Sequence, residues 1–214
     1  EYISGPTLAA WCSQPRPWRT IVKTFWAAGQ GLAAAHREGL LHRDFKPANV
    51  LLGDDGRVRV LDFGLARPGE ATLTEPGHTS ALDETMTQTG ALIGTPAYMA
   101  PELLAGAQAD ALSDQFSFCA ALFEALYGER PFKGHDPKSL LQDIQSRDLR
   151  SRPGGRPVPA WIHGPLIRGL GPRERRWPAM DALLQALDLD RRRRRRRLVA
   201  LGLTLTAAAG LSAF

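Results

Sequence analysis

The sequence predicts a mainly α-helical domain with one small β-hairpin. Three observations carry this: apolar residues recur at helical spacing in several stretches, one short segment alternates across an Asp-Asp-Gly turn, and the connections are rich in Pro and Gly. With 214 residues, 43% hydrophobic and 23% charged, the chain holds enough apolar material for one sizeable core. No internal repeat is visible.

Positions 18, 21, 22, 25, 29, 32, 33 and 36 keep one face of a 3.6-residue helix from Trp18 to His36, and Gly39 stops it. Asn49-Val50-Leu51-Leu52, the Asp54-Asp55-Gly56 turn and alternating Arg57-Val58-Arg59-Val60-Leu61 then read as a hairpin. Residues 67–93 are rich in Thr, Gly, Glu and Pro without periodicity, which predicts a long functional loop. Helical patterns return over Asp114–Tyr127, Lys138–Gln145, Trp161–Leu170 and Ala179–Leu187.

The net charge of +5 is local, because Arg191 to Arg197 are consecutive arginines and the remainder is slightly acidic. That distribution argues against a nucleic-acid-binding face. Cys12 and Cys119 lie far apart and outside any CxxC spacing, so neither a disulfide framework nor a zinc site is expected, and a reducing cytoplasm suits them. His36, His78, His135 and His163 form no metal-ligand spacing and are read as structural. Glu1-Tyr2-Ile3-Ser4-Gly5-Pro6 has neither an initiator methionine nor a secretory leader, and reads as the interior of a longer chain.

The chemistry is concentrated in three ordered motifs. His42-Arg43-Asp44-Phe45-Lys46-Pro47-Ala48-Asn49 fits the pattern H-R-D-x-x-x-x-N, Asp62-Phe63-Gly64 follows across the hairpin, and Ala100-Pro101-Glu102 closes the segment. Each motif alone is weak; their order and spacing make coincidence negligible. Over residues 1–188 the chain closely resembles eukaryotic-type serine/threonine protein kinases, particularly the membrane-anchored bacterial kind. The fold this implies is the helical C-terminal lobe of a protein kinase, with the N-terminal lobe absent from these residues.

The resemblance implies the residue roles. Asp44 would accept or orient the proton of the substrate hydroxyl, and Lys46 would compensate charge on the transferred phosphate. Asn49 and Asp62 would hold Mg2+ between the phosphates of ATP. Arg43 would be held ready for a phosphate on the activation loop, with Thr87 and Thr89 as the leading sites. Thr95 would belong to the substrate platform, which with Lys46 argues for Ser/Thr rather than Tyr as acceptor. His42 would pack beneath Phe63, Asp114 would accept backbone N–H bonds from the catalytic loop, and Glu102 would pair with Arg176, Arg175 being the alternative.

The arginine run is followed by Leu198 to Phe214, without one charged residue. These residues fall just short of the roughly 20 that cross a bilayer, and are read as the start of a transmembrane helix. Flanking arginines stay cytoplasmic, which would put the kinase lobe in the cytoplasm at the cell membrane and draw it toward anionic lipid. The domain plan is a hinge remnant at 1–5, the C-terminal lobe at 6–188 with its activation segment at 62–102, an Arg-rich juxtamembrane segment at 189–197 and a truncated membrane helix at 198–214. No G-x-G-x-x-G occurs, so the isolated chain is expected to be inactive although the family transfers phosphate to Ser or Thr of protein substrates. The competing expectation is a membrane-tethered, catalytically inactive one-lobe pseudokinase serving as a binding module. Pairing into a homodimer is a further expectation from the resemblance.

Overall fold

The computed structural model describes residues 3–63, 96–150 and 158–189. Thr87, Thr89, Thr95, the whole Thr-rich loop, the arginine run and the apolar tail lie outside the described residues.

Helix α1 spans Leu8–Cys12 and is capped by the Thr7 hydroxyl, which accepts from the Ala10 N–H; Leu8 is its one buried residue. Helix α2, Trp18–Arg37, buries Ile21, Val22, Phe25, Ala28, Gly29, Leu32 and Ala33, the face that the apolar spacing predicts. It ends where Gly39 takes φ 74°, a left-handed geometry that glycine adopts without steric cost. Strands β1, Val50–Leu52, and β2, Val58–Val60, pair antiparallel with Val50 opposite Val60 and Leu52 opposite Val58. The preceding segment lies along the free edge of β1: Leu52 N–H donates to the Pro6 carbonyl at 2.9 Å and Asp54 N–H to the Ser4 carbonyl at 3.0 Å.

Helix α3, Pro101–Leu104, is followed by α4, Ala111–Tyr127. Asp110 and Ser113 form a reciprocal capping box at the start of α4, and Gly128 closes it at φ 80°. Almost every residue of α4 from Ser113 to Phe123 is buried, which makes it the axis of the core. Helices α5, Pro137–Ser146, α6, Ala160–Gly169, and α7, Met180–Leu187, complete the lobe. Helix α2 packs against both α4 and α7, and α6 packs against the same two. The close approach depends on Gly29, where a Cβ would meet Leu184 Cδ2 at 2.5 Å and the Phe118 ring at 3.2 Å.

The observed architecture is the predicted one, mainly helical with a two-stranded antiparallel sheet. Helix α4 begins earlier than the apolar pattern suggests, because its polar first turn is held by the cap rather than by the core. Helices α1 and α3 and the 3-10 turns were not anticipated, since segments this short show no period.

Candidate active site

The motif residues His42 to Asn49 form a loop between α2 and β1, and the loop is pinned from behind. Asp114, in the first turn of α4, is 1% exposed. Its Oδ2 accepts from the His42 N–H and its Oδ1 from the Arg43 N–H, both at 2.8 Å. A buried carboxylate taking two backbone donors holds two consecutive residues of the loop at once. Between them the chain turns through φ 69° at Arg43.

The His42 ring is almost fully buried, with its centroid 5.0 Å from that of Phe63 and 5.7 Å from that of Phe45. Phe45 in turn rests 5.6 Å from Phe118 of α4. Burial lowers the basicity of His42, opposed by the charge of Asp114 and the nearby Leu61 carbonyl. Its Nδ1 faces the Asp44 N–H at 3.3 Å.

With its backbone fixed in this way, the loop presents its polar side chains outward. Asp44 has a side chain 65% exposed, and Lys46 Nζ reaches its Oδ2 at 2.6 Å. Asn49 closes the loop by donating from Nδ2 to the Asp44 carbonyl at 2.9 Å. That bond commits the amide nitrogen and leaves Asn49 Oδ1 as the atom able to serve a cation. The 3-10 turn Pro47–Asn49 leads directly into β1, and the Leu61 N–H donates to the Asn49 carbonyl at 2.8 Å. The ladder therefore brings Asp62, at φ 58°, beside Asn49 although thirteen positions separate them in sequence.

Glu102 and Arg176 form a bidentate pair, Nη1 to Oε1 at 2.5 Å and Nη2 to Oε2 at 2.9 Å. The Arg176 side chain is fully buried and its remaining donors reach the Leu112 and Gly171 carbonyls. Of the two arginines considered, it is Arg176 that meets Glu102; the Arg175 carbonyl accepts from Arg168 Nε. Beside the loop, α1 and α4 border an open cavity of about 250 Å3 lined by Cys12, Pro47, Tyr98 and Glu124 among others. There the Tyr98 hydroxyl donates to Glu124 Oε2 at 2.6 Å, and burial followed by this carboxylate pushes the phenol well above its usual range.

The model of the protein kinase domain matches residues 1–161. The chain belongs to the protein kinase family. Three similar bacterial proteins carry serine/threonine-protein kinase names. The chain is 42% identical over 144 residues to a probable serine/threonine-protein kinase of Streptomyces coelicolor, a match covering 65% of this chain and 20% of that protein. It is 39% identical over 151 residues to the serine/threonine-protein kinase PknL of Mycobacterium tuberculosis, covering 70% of this chain and 35% of that one. With PknB of the same species the identity is 37% over 142 residues, covering 65% and 21%. The chain thus spans about a fifth to a third of the curated relatives it matches.

Within this kinase lobe the structure joins Asp44, Lys46 and Asn49 by direct contacts and brings Asp62 alongside through the hairpin. Two site features escaped the sequence. His36, read there as structural, bonds to Asp114, and Tyr98 bonds to Glu124. The signal for His36 was its place as the last position on the buried face of α2, where a polar ring needs a partner.

Proposed function

We infer that the chain carries the catalytic lobe of a protein serine/threonine kinase that transfers the γ-phosphate of ATP to Ser or Thr hydroxyls of proteins. The observation that supports this best is the pinned loop: an exposed carboxylate, a lysine 2.6 Å from it and an asparagine bonded to its backbone, on a loop whose His42 and Arg43 amides are held by buried Asp114.

In the reaction the acceptor oxygen forms a bond to γ-phosphorus as the bond from that phosphorus to the bridging oxygen of ADP breaks. Asp44 orients the acceptor hydroxyl and receives its proton. Lys46, already beside Asp44, supplies positive charge where the phosphoryl oxygens pass. A hard cation suits the donors at hand, the Asp62 carboxylate and the free Asn49 amide oxygen, since Mg2+ binds through one or two protein oxygens and completes its shell with water and phosphate. When bound there it would neutralise charge on the nucleotide phosphates. Asp44 itself is kept out of that role by its contact with Lys46.

Arg43 is read as the receiver of a phosphate on Thr87 or Thr89, and Thr95 as part of the substrate platform. Mass spectrometry of the active enzyme should find phosphate on Thr87 or Thr89; both unmodified would remove that part of the reading. Leu198 to Phe214 with the preceding arginines are read as a membrane anchor with the lobe on the cytoplasmic side. The full chain should float with vesicles containing anionic lipid, whereas a chain ending at residue 189 should not.

The 214 residues contain no G-x-G-x-x-G to cover the phosphates. Phosphotransfer by this chain alone is therefore expected to be undetectable. Joined to the N-terminal lobe of a relative such as PknB, it should phosphorylate a general protein substrate, and Asp44→Asn should reduce kcat by at least about 100-fold, the scale of a lost general base. An unaffected Asp44→Asn enzyme would overturn the assignment. A joined enzyme with no activity at all would favour the binding-module reading.

A further inference from the structure

Helix α2 contains no acidic residue, and its N-terminal half shows bases and an indole to solvent. Arg19, Lys23 and Trp26 are exposed and stand four and three positions apart, so they share one face of the helix. At the far end Arg37 pairs with Asp181, but among the described residues neither Arg19 nor Lys23 has a carboxylate within ion-pair distance. The Arg19 guanidinium lies 4.4 Å from the centroid of the Trp18 ring, and Trp18 meets Trp161 edge-on at 6.1 Å. Cations and indoles alternate along this face.

Trp26 fixes where the face lies. Its Nε1 donates at 3.2 Å to the Leu184 carbonyl in the last turn of α7, a carbonyl that the Asp188 N–H passes over in bonding to Gln185. With its polar atom engaged the ring is still 36% exposed, and what it shows is apolar. The Arg37–Asp181 and Trp26–Leu184 contacts make the two helices antiparallel, so Arg19 and Lys23 stand toward the end of α7 at which the chain leaves the lobe. Arg191, the first of the consecutive arginines, comes four positions after Leu187, at most about 14 Å of chain. The uncharged stretch from Leu198 to Phe214 follows the run.

One surface suits all of these groups. Anionic headgroups attract Lys and Arg, and Trp settles at the headgroup level, where an apolar ring and a polar edge are both accommodated. The carboxylates on α7 and its cap are Asp181, engaged by Arg37, and Asp188, half-buried. A second copy of this chain would bring the same cations against these, which disfavours pairing through this face. We propose that Arg19, Lys23 and Trp26 are a lipid-facing surface through which the N-terminal half of α2, beside the end of α7, rests on anionic headgroups of the bilayer. The inference rests on Leu198 to Phe214 being a membrane anchor. Each cation adds only about 1 kcal/mol at such a surface, so the face orients a lobe that is already tethered and does not hold an untethered one.

The experiment uses the full 214-residue chain, reconstituted in vesicles of phosphatidylcholine alone and of phosphatidylcholine mixed with phosphatidylglycerol. Its lysines are acetylated with an uncharged reagent and read by mass spectrometry. Lys23 should react about threefold or more slowly in the anionic vesicles. Lys138, exposed on α5, which packs against α3, should react equally in both. Equal reactivity of Lys23 in a chain that floats with the vesicles overturns the proposal and leaves the anchor standing. A chain that floats with neither kind of vesicle removes the anchor, and the proposal with it. Protection of Lys23 that is the same in both lipids and grows with protein concentration would assign the face to a second copy, which also overturns the proposal. A second measurement follows Trp26. Brominated phosphatidylglycerol should quench the fluorescence of the chain less once Trp26 is replaced by Phe, and Arg19→Glu combined with Lys23→Glu should bring the same loss with every tryptophan in place. Quenching that survives both changes overturns the proposal. The acetylation readout needs no variant, so it decides even where a variant fails to fold.

Discussion

Arg43 and Asp62 both hold left-handed backbone, at φ 69° and 58°. Such angles cost a residue bearing Cβ, and β-branched side chains most of all. Asp62→Gly should therefore match or exceed the parent in stability, by up to about 1 kcal/mol, whereas Asp62→Val should lose about 1–2 kcal/mol in urea denaturation. A glycine variant that is less stable would show that the Asp62 carboxylate contributes more to the fold than its backbone costs. His42 offers a second test at this scale. Burial, opposed by Asp114, holds its imidazole below the ordinary value of 6.5, so the unfolded chain takes up the proton more readily than the folded one. The stability it contributes is full above that ordinary value and is lost as pH falls through it toward the lower folded value. Replacing His42 by Phe should flatten the dependence of stability on pH between about 7 and 5, measured by thermal melts.

At the scale of elements, α4 depends on its cap as well as its core. Asp110 accepts from the Leu112 and Ser113 N–H groups and also pairs with Arg173. Burial raises its pKa, but the Arg173 and backbone hydrogen bonds outweigh this and hold the carboxyl below its usual range. Asp110→Ala should cost about 1 kcal/mol through the lost cap, read as a shift of the denaturation midpoint. Gly29→Val should cost about 1–3 kcal/mol by forcing α2 away from Leu184 and Phe118. The same contrast explains how legible the molecule was. Helices α2, α6 and α7 could be read because each buries several residues at helical spacing, α5 because Leu140, Leu141 and Ile144 repeat at that spacing, and the hairpin because Asp54-Asp55-Gly56 interrupts an alternating run. Helix α1, only five residues long, is too short to show a period. The motifs gave Asp44, Asn49 and Asp62 directly. His36 could not be assigned a partner, because its contact spans 78 residues and leaves no trace in local spacing. For Glu102 the sequence left Arg175 and Arg176 open, since it does not show that the 3-10 turn ends at Arg175 and that Arg176, extended just after it, points the other way.

For the molecule as a whole, the Glu102–Arg176 pair ties α3 to the connection between α6 and α7. The Arg176 side chain is fully buried and that of Glu102 14% exposed, so removing Glu102 would leave a buried guanidinium uncompensated. Arg176→Met should destabilise the chain by about 3–5 kcal/mol, and adding Glu102→Gln should return a large part of it. Equal cost for the single and double variants would mean that the arginine acts through its bonds to the Leu112 and Gly171 carbonyls instead. The edge of the sheet carries a different implication. The Pro6 carbonyl accepts from Leu52 at the end of β1 and the Ser4 carbonyl from Asp54 in the turn beyond it, and a side chain at Gly5 would collide with the Leu52 carbonyl at 2.0 Å. No slack exists there. The backbone at Ser4 and Pro6 is thereby fastened to the same short sheet whose first residue, Val50, directly follows Asn49, so the entry of the chain and the foot of the motif loop share one hydrogen-bonded frame.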